Sequence, residues 1–197
     1  MKRKKNIAVV HCSGGAKQNE GIDFAALPKD CNQILEQYPD GIHSCSYGCL
    51  GGGSCVAACK LHALTINEKG VAEVDRDKCV GCGLCVKACP KHLISLEAPE
   101  GTIQPLCSNE QKAADAGQAC TSSCIGCKIC EKYCPSDAIH VIDFHAVIDR
   151  EKCVACGSLP LFTAFFKVVV NALCPTTESM KIIGAANKKK SPKEINP

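Results

Sequence analysis

The feature that most constrains this chain is a cysteine pattern that occurs twice with identical spacing. Cys79-x2-Cys82-x2-Cys85-x3-Cys89-Pro90 returns as Cys124-x2-Cys127-x2-Cys130-x3-Cys134-Pro135. Self-similarity of this kind marks a unit duplicated along the chain. A degenerate copy precedes the pair, Cys45-x3-Cys49-x5-Cys55-x3-Cys59, and a damaged one follows, Cys153-x2-Cys156 with Cys174-Pro175 much later. Each of the first three copies leads into an apolar exit that reads as a short strand: Ala63 to Ile66, Leu93 to Leu96 and Ala138 to Ile142. The connectors repeat too, since Val71 to Lys78 enters Cys79 much as His145 to Lys152 enters Cys153.

The copies pair in chain order, which implies an α+β fold of two tandem ferredoxin-like modules over residues 45–96 and 124–175. A leader, 1–44, precedes them with an apolar strand at Ile7 to Val10, a turn at Ser13-Gly14-Gly15 and a short amphipathic helix around Asn32 to Tyr38. Residues 97–123, punctuated by Pro99, Gly101, Pro105 and Gly117, read as a linker. Residues 176–197 read as a basic flexible tail.

Nineteen cysteines in 197 residues leave two readings, a disulfide scaffold or a set of metal ligands. The start Met1-Lys2-Arg3-Lys4-Lys5 precedes only a short apolar run and does not resemble a secretory signal. The stretch from Leu159 to Leu173 is too short to span a bilayer and carries Lys167. A cytoplasmic chain without a membrane span of its own is therefore expected, with thiols kept reduced and available as soft ligands. Aromatic residues make up 4% and Trp is absent, so each small module lacks the bulky side chains of an ordinary core. Bound metal would supply the missing folding free energy.

The C-x2-C-x2-C loop followed by a distant Cys-Pro is how two-cluster ferredoxins hold [4Fe–4S] clusters, the last cysteine ligating the other cluster. Crossed ligation of this kind assigns Cys45, Cys49, Cys55 and Cys89 to a first cluster, and Cys79, Cys82, Cys85 and Cys59 to a second. Cys124, Cys127, Cys130 and Cys174 make a third. A fourth would retain only Cys134, Cys153 and Cys156, because Leu159 stands where a ligand belongs. That site is expected to be degraded, to hold a [3Fe–4S] cluster, or to be absent. Gly81, Gly83 and Gly126 allow the backbone to approach a cluster, and Pro90 and Pro135 end the turn carrying the fourth ligand. Cys12 and Cys31 read as ordinary buried thiols, with an extra metal contact as the alternative; Cys107 and Cys120 fit no copy of the repeat. The competing assignment for the paired motifs is four-thiolate zinc. The six histidines share no ligand spacing, and no residue is assigned a catalytic role.

The formal charge of +3 comes from the ends: setting aside the basic runs at Lys2–Lys5 and Lys188–Lys193 reverses its sign. Nucleic acid is therefore not an expected partner.

The runs Cys45-Ser46-Tyr47-Gly48-Cys49-Leu50-Gly51-Gly52-Gly53-Ser54-Cys55 and Lys78 to Pro90, with Cys120 to Pro135 and the leader elements His11-Cys12-Ser13-Gly14 and Asp30-Cys31, resemble the B subunit of Rnf-type ion-translocating ferredoxin:NAD oxidoreductases in its clostridial-style form. The resemblance covers about residues 7 to 156. It implies an electron relay from reduced ferredoxin through [4Fe–4S] clusters to membrane partners, with no substrate bond made or broken by side chains. A cytoplasmic or inner-face peripheral location goes with it, although the family's usual membrane anchor and further cysteine-rich domain are not expected in this chain. The alternatives are a soluble polyferredoxin serving a hydrogenase or a 2-oxoacid oxidoreductase, and a zinc-stapled interaction protein.

Overall fold

The computed structural model describes residues 6–98, 102–154 and 180–183. Secondary structure is short throughout, as expected where loops must wrap around ligands. Strand β1 (Ile7–Val10) opens the chain, followed by helix α1 (Cys31–Gln37), helix α2 (Ser54–Ala57) and the hairpin of β2 (Leu64–Ile66) with β3 (Ala72–Val74). Helix α3 (Leu84–Ala88) and β4 (Ile94–Glu97) complete the first half. The second half has β5 (Thr102–Pro105), α4 (Ala113–Ala119), α5 (Ile129–Lys132), and the hairpin of β6 (Ile139–Ile142) with β7 (His145–Ile148). Among the described residues the last strand, β8 (Met180–Ile183), pairs antiparallel with β5.

The leader strand is part of the first module's framework. β1 runs antiparallel to β4, with Ile7 opposite Glu97 and Val10 opposite Ile94. All four β1 residues are buried, against Leu64, Ala72, Ile94 and the thiols Cys55, Cys79 and Cys85. Burying Ile7, Val9 and Ile94 stabilises the pair by about 1.5–3 kcal/mol per side chain. Helix α1 begins at Asp30, whose carboxylate accepts from the Asn32 and Gln33 amides at 2.7 and 3.2 Å, which satisfies N–H groups that have no partner inside the helix. Its Ile34 packs with Ile42 and Leu50 in a small second core.

Residues 97–123 carry more order than their Pro and Gly content suggests. β5 and α4 lie within them, and Gln104 and Asn109 are buried. Those polar side chains are satisfied: Arg150 donates to Gln104, and Asn109 donates to the Ser123 hydroxyl at 2.9 Å. The turn after β1 is a hub against which three other segments lie. Cys12 bridges to Cys107, Ala16 to Cys120 and Gln18 to His43. His11 fastens the hub further, with Nδ1 2.6 Å from the Pro105 carbonyl oxygen and Nε2 2.8 Å from the Ser95 hydroxyl.

Candidate metal centre

Three loops of the chain share one backbone design. Gly51, Gly81 and Gly126 each stand two residues after a cysteine, at φ of 70°, 67° and 62°. A Cβ on any of them would run into a backbone carbonyl oxygen, that of Gly70, Asn6 and Phe144 respectively, so only glycine fits. Two residues later the chain again takes positive φ, at Gly53, Gly83 and Lys128, and starts α2, α3 and α5. After each helix a cysteine accepts the amide N–H four residues on: Ala63 to Cys59 at 3.3 Å, Leu93 to Cys89 at 3.4 Å and Ala138 to Cys134 at 3.2 Å. Amide donors aimed at sulfur favour the thiolate over the thiol and tune any bound metal.

This alignment places Cys49, not Cys45, in register with Cys79 and Cys124, and it leaves Gly52 where the other loops have Cys82 and Cys127. A Cβ on Gly52 would come within 3 Å of the Cys31 amide nitrogen. The start of α1 is therefore pressed against the position where a cysteine is missing, held by a 2.6 Å hydrogen bond from the Cys31 amide to the Ser54 hydroxyl. Cys31, Cys49, Cys55 and Cys89 line one pocket together with Val10, Leu50 and Leu93. Cys89 comes from the neighbouring repeat, so the pocket brings a pre-proline cysteine beside thiols of the first copy. Cys45 stands apart from that pocket, near Cys120, Cys107 and Cys12.

Cys79, Cys82 and Cys85 occupy the second loop, with the Ala8 amide of β1 donating to Cys79 at 3.4 Å. Cys59 packs at the edge of the same core. In the second module Cys124, Cys130, Cys134 and Cys153 pack around Ile139, Ala146 and Ile148, and Cys127 is exposed. Cys156, Leu159 and Cys174 lie outside the described residues, and with them the expected damage to the fourth site.

The electrostatics follow from burial and crowding. Burial, reinforced by the neighbouring thiols of Cys49, Cys31 and Cys89, pushes the Cys55 thiol up to about 12. Burial with Cys124 and Cys127 does the same to Cys130, also to about 12, and Cys45 rises to about 11 through burial and the thiols of Cys120, Cys107 and Cys12. Cys134 behaves differently. Its modest burial is outweighed by hydrogen bonds from the Ala138 and Ser136 amides and the Ser136 hydroxyl, so it lies below the ordinary thiol range. A pocket whose thiols are crowded and desolvated disfavours several thiolates without a cation and suits a cationic centre that neutralises them.

Among the described residues no three His, Cys, Asp or Glu donors are drawn tightly enough together for a single ion. Cys31, Cys49, Cys55 and Cys89 instead line one pocket, and four soft thiol donors are the ligand set that an iron–sulfur cluster takes. Of the candidate ligands, Cys31 is the one that the sequence leaves between an ordinary buried thiol and an extra metal contact, because it is remote from the repeat. The available signal is Gly52: aligning the first copy from Cys49 exposes one cysteine too few.

Comparison with known proteins gives the same class of cofactor. A family model described as a 4Fe-4S dicluster domain matches residues 43–96, and a second model of the same description matches residues 78–138. Residues of this chain are 38% identical over 156 positions to the B subunit of the ion-translocating oxidoreductase complex of Methanosarcina acetivorans, covering 79% of this chain and 58% of that protein. Identity is also 38% over 152 positions to the B subunit of the Na(+)-translocating ferredoxin:NAD(+) oxidoreductase complex of Acetobacterium woodii, covering 77% and 45%. The proton-translocating counterpart of Clostridium ljungdahlii is 35% identical over 184 positions, covering 92% and 60%. The chain thus spans about half the length of the curated relatives it matches. Among the described residues, no helix is long and apolar enough to cross a membrane.

Proposed function

We propose that this chain, which matches 4Fe-4S dicluster domain models over residues 43–96 and 78–138 and is similar over most of its length to the B subunits of ion-translocating oxidoreductase complexes, is the iron–sulfur electron-transfer subunit of an Rnf-type complex. It would accept electrons from reduced ferredoxin and deliver them to membrane-bound partner subunits, from a position on the inner face of the membrane. Bound [4Fe–4S] clusters would supply one-electron redox chemistry. The chain's own residues hold, insulate and tune them. The observation that carries this reading is the pocket of Cys31, Cys49, Cys55 and Cys89, four thiols from three separate segments.

We assign that set to one cluster, in place of a set including Cys45, and assign Cys79, Cys82, Cys85 and Cys59 to a second. Reciprocal crossing of Cys59 and Cys89 follows from the equivalence of the two loops. Cys124, Cys127 and Cys130 supply three ligands of a third, with Cys174 as the fourth, and Cys134, Cys153 and Cys156 remain a degraded site. In this reading β1 acts as a clamp, since it lends an amide to Cys79 and covers the apolar side of both first-module sites.

The test is reduction of the anaerobically purified chain by stoichiometric reduced ferredoxin, followed by visible absorption and electron paramagnetic resonance. Rapid bleaching with appearance of reduced-cluster signals is the expected result. A brown protein that dithionite reduces and ferredoxin does not would remove ferredoxin as the donor. A colourless, zinc-loaded protein would remove the electron-transfer function altogether.

A further inference from the structure

We propose that Cys12, Cys45, Cys107 and Cys120 hold an additional [4Fe–4S] cluster, seated between the two dicluster halves of the chain. The inference rests on the iron–sulfur reading above and extends it to four residues that belong to no complete copy of the repeat.

The site is built by the hub that follows β1. Its Cys12 bridges antiparallel to Cys107, and Ala16 bridges to Cys120. The Cys120 thiol lies 3.5 Å from the Gly14 carbonyl oxygen, and the Thr121 amide donates to Gly15 at 3.0 Å. On the remaining side the Ser44 amide donates to the Lys17 carbonyl at 2.9 Å, which brings in Cys45. Cys45 and Cys120 then share a buried cluster with Ala119, bordered by Ala16 and Tyr47. Thus three segments flank one turn, and each delivers one cysteine beside Cys12. Glycine at position 15 is what permits the approach, because a Cβ there would meet the Thr121 and Ser122 hydroxyls at 2.6 and 2.8 Å. The crowding is chemical as well as spatial. The thiols of Cys120, Cys107 and Cys12 all lie close enough to Cys45 to act on it electrostatically.

Two amides identify what these sulfurs are prepared for. The Cys49 N–H points at the Cys12 sulfur at 3.4 Å, and the Cys124 N–H points at the Cys107 sulfur at 3.2 Å. These are the same N–H to sulfur contacts that the repeat makes at Cys59, Cys89 and Cys134, as expected of sulfurs that ligate a cluster. The donors are themselves residues assigned to the neighbouring sites, Cys49 in the first module and Cys124 in the second. One backbone step therefore separates the new set from a cluster ligand on either side. The cofactor array of the chain is continuous, not divided into two independent halves.

The thiols are backed by buried polar contacts. Ser123 is fully buried, accepts from Asn109 and sits 3.8 Å from the Cys107 sulfur, while Ser108 donates to the His11 carbonyl at 3.2 Å. A pair of disulfides is the competing chemistry for four clustered thiols, and the experiment separates the two.

The test compares the full chain, purified and reconstituted anaerobically, with a Cys45→Ser/Cys120→Ser double variant and with Cys107→Ser alone. Iron and acid-labile sulfide are counted, and reduced samples are examined by electron paramagnetic resonance. Removing the set is expected to lower both counts by about four per chain while the signals of the Cys31-containing cluster persist. Cys107→Ser, at a half-buried position, keeps the test informative if the double variant fails to fold; it is expected to lose the cluster held by Cys12, Cys45, Cys107 and Cys120 or convert it to a three-iron signal. Unchanged iron and sulfide in a folded variant overturns the proposal, as does a native chain whose mass shows Cys12, Cys45, Cys107 and Cys120 joined as disulfides. A native chain with no iron at all points instead to failure of the iron–sulfur reading itself.

Discussion

Gly81 offers the sharpest mechanical test of the first module. Its φ of 67° costs an alanine about 1–2 kcal/mol, and a Cβ there would overlap the Asn6 carbonyl oxygen directly. The carbonyl is backbone leading into β1, so relief requires moving the strand that donates to Cys79 and pairs with β4. Overpacking of this kind adds about 1–3 kcal/mol, giving roughly 2–5 kcal/mol for Gly81→Ala. Gly70 is the control. It has φ of 72° but nothing within 4 Å of a Cβ, so Gly70→Ala carries the conformational cost alone, about 1–2 kcal/mol. At about 2–4 °C per kcal/mol for a chain of this size, Gly81→Ala should melt well below Gly70→Ala. The assay is anaerobic heating of the cluster-loaded chain, followed by visible circular dichroism and by far-ultraviolet signal. Gly126→Ala and Gly51→Ala should fall between, since their Cβ atoms would meet carbonyl oxygens at 2.7 and 2.6 Å. If Gly81→Ala and Gly70→Ala melted together, β1 would not be clamped on the cysteine loop and its role as a clamp would be refuted.

Three further outcomes follow from the same geometry. Cys31→Ser should lose the first-module cluster signal and up to about four irons, and an unchanged spectrum would return Cys45 to that site. Asp30→Ala removes the cap that accepts from Asn32 and Gln33 and should cost about 1 kcal/mol, with faster loss of iron to a chelator because Cys31 is the first residue of that helix; equal loss rates would show that the cap does not position the ligand. Burial holds the thiols of Cys55 and Cys130 up at about 12 and Cys45 at about 11, so in the iron-free chain they stay protonated at neutral pH and must release protons on ligation. Iron uptake should therefore strengthen from about pH 7 to about pH 9. Stability of the iron-free chain should fall once pH passes the unfolded thiol value near 9, since the unfolded chain then binds fewer protons, and go on falling up to about 12; uptake that is flat with pH, or stability that rises, would contradict the assignment.

What could be read from the sequence was whatever the repeat carries locally. The exits after Cys59, Cys89 and Cys134 become β2, β4 and β6, each of which buries its first apolar residue, Leu64, Ile94 and Ile139, and Ile7 to Val10 becomes β1. What could not be read depends on contacts between distant segments. Nothing near Cys31 announces that it lies beside Gly52, and the approach of Cys107 and Cys120 to the turn at Cys12 follows from bridges between segments far apart in the chain. The segment after β4 reads as linker because Pro105 and Gly117 punctuate it. Yet Ala113 to Ala119 is rich in the best helix former, and burial of Ala116 and Ala119 outweighs the cost of Gly117. Gly81 and Gly126 were legible as special, but their reason is close approach to the carbonyls of Asn6 and Phe144, which only the tertiary fold reveals.

The most direct test of the central claim, that this chain stores and passes electrons one at a time on thiolate-held iron, is a reductive titration of the anaerobically reconstituted protein with iron, sulfide and zinc counted on the same sample. At least about twelve irons with equal sulfide are expected, with no stoichiometric zinc and with reversible bleaching that takes up about one electron for every four irons. A colourless chain carrying zinc, or one whose only reducible groups are disulfides taking two electrons each without a change in visible absorption, would contradict it.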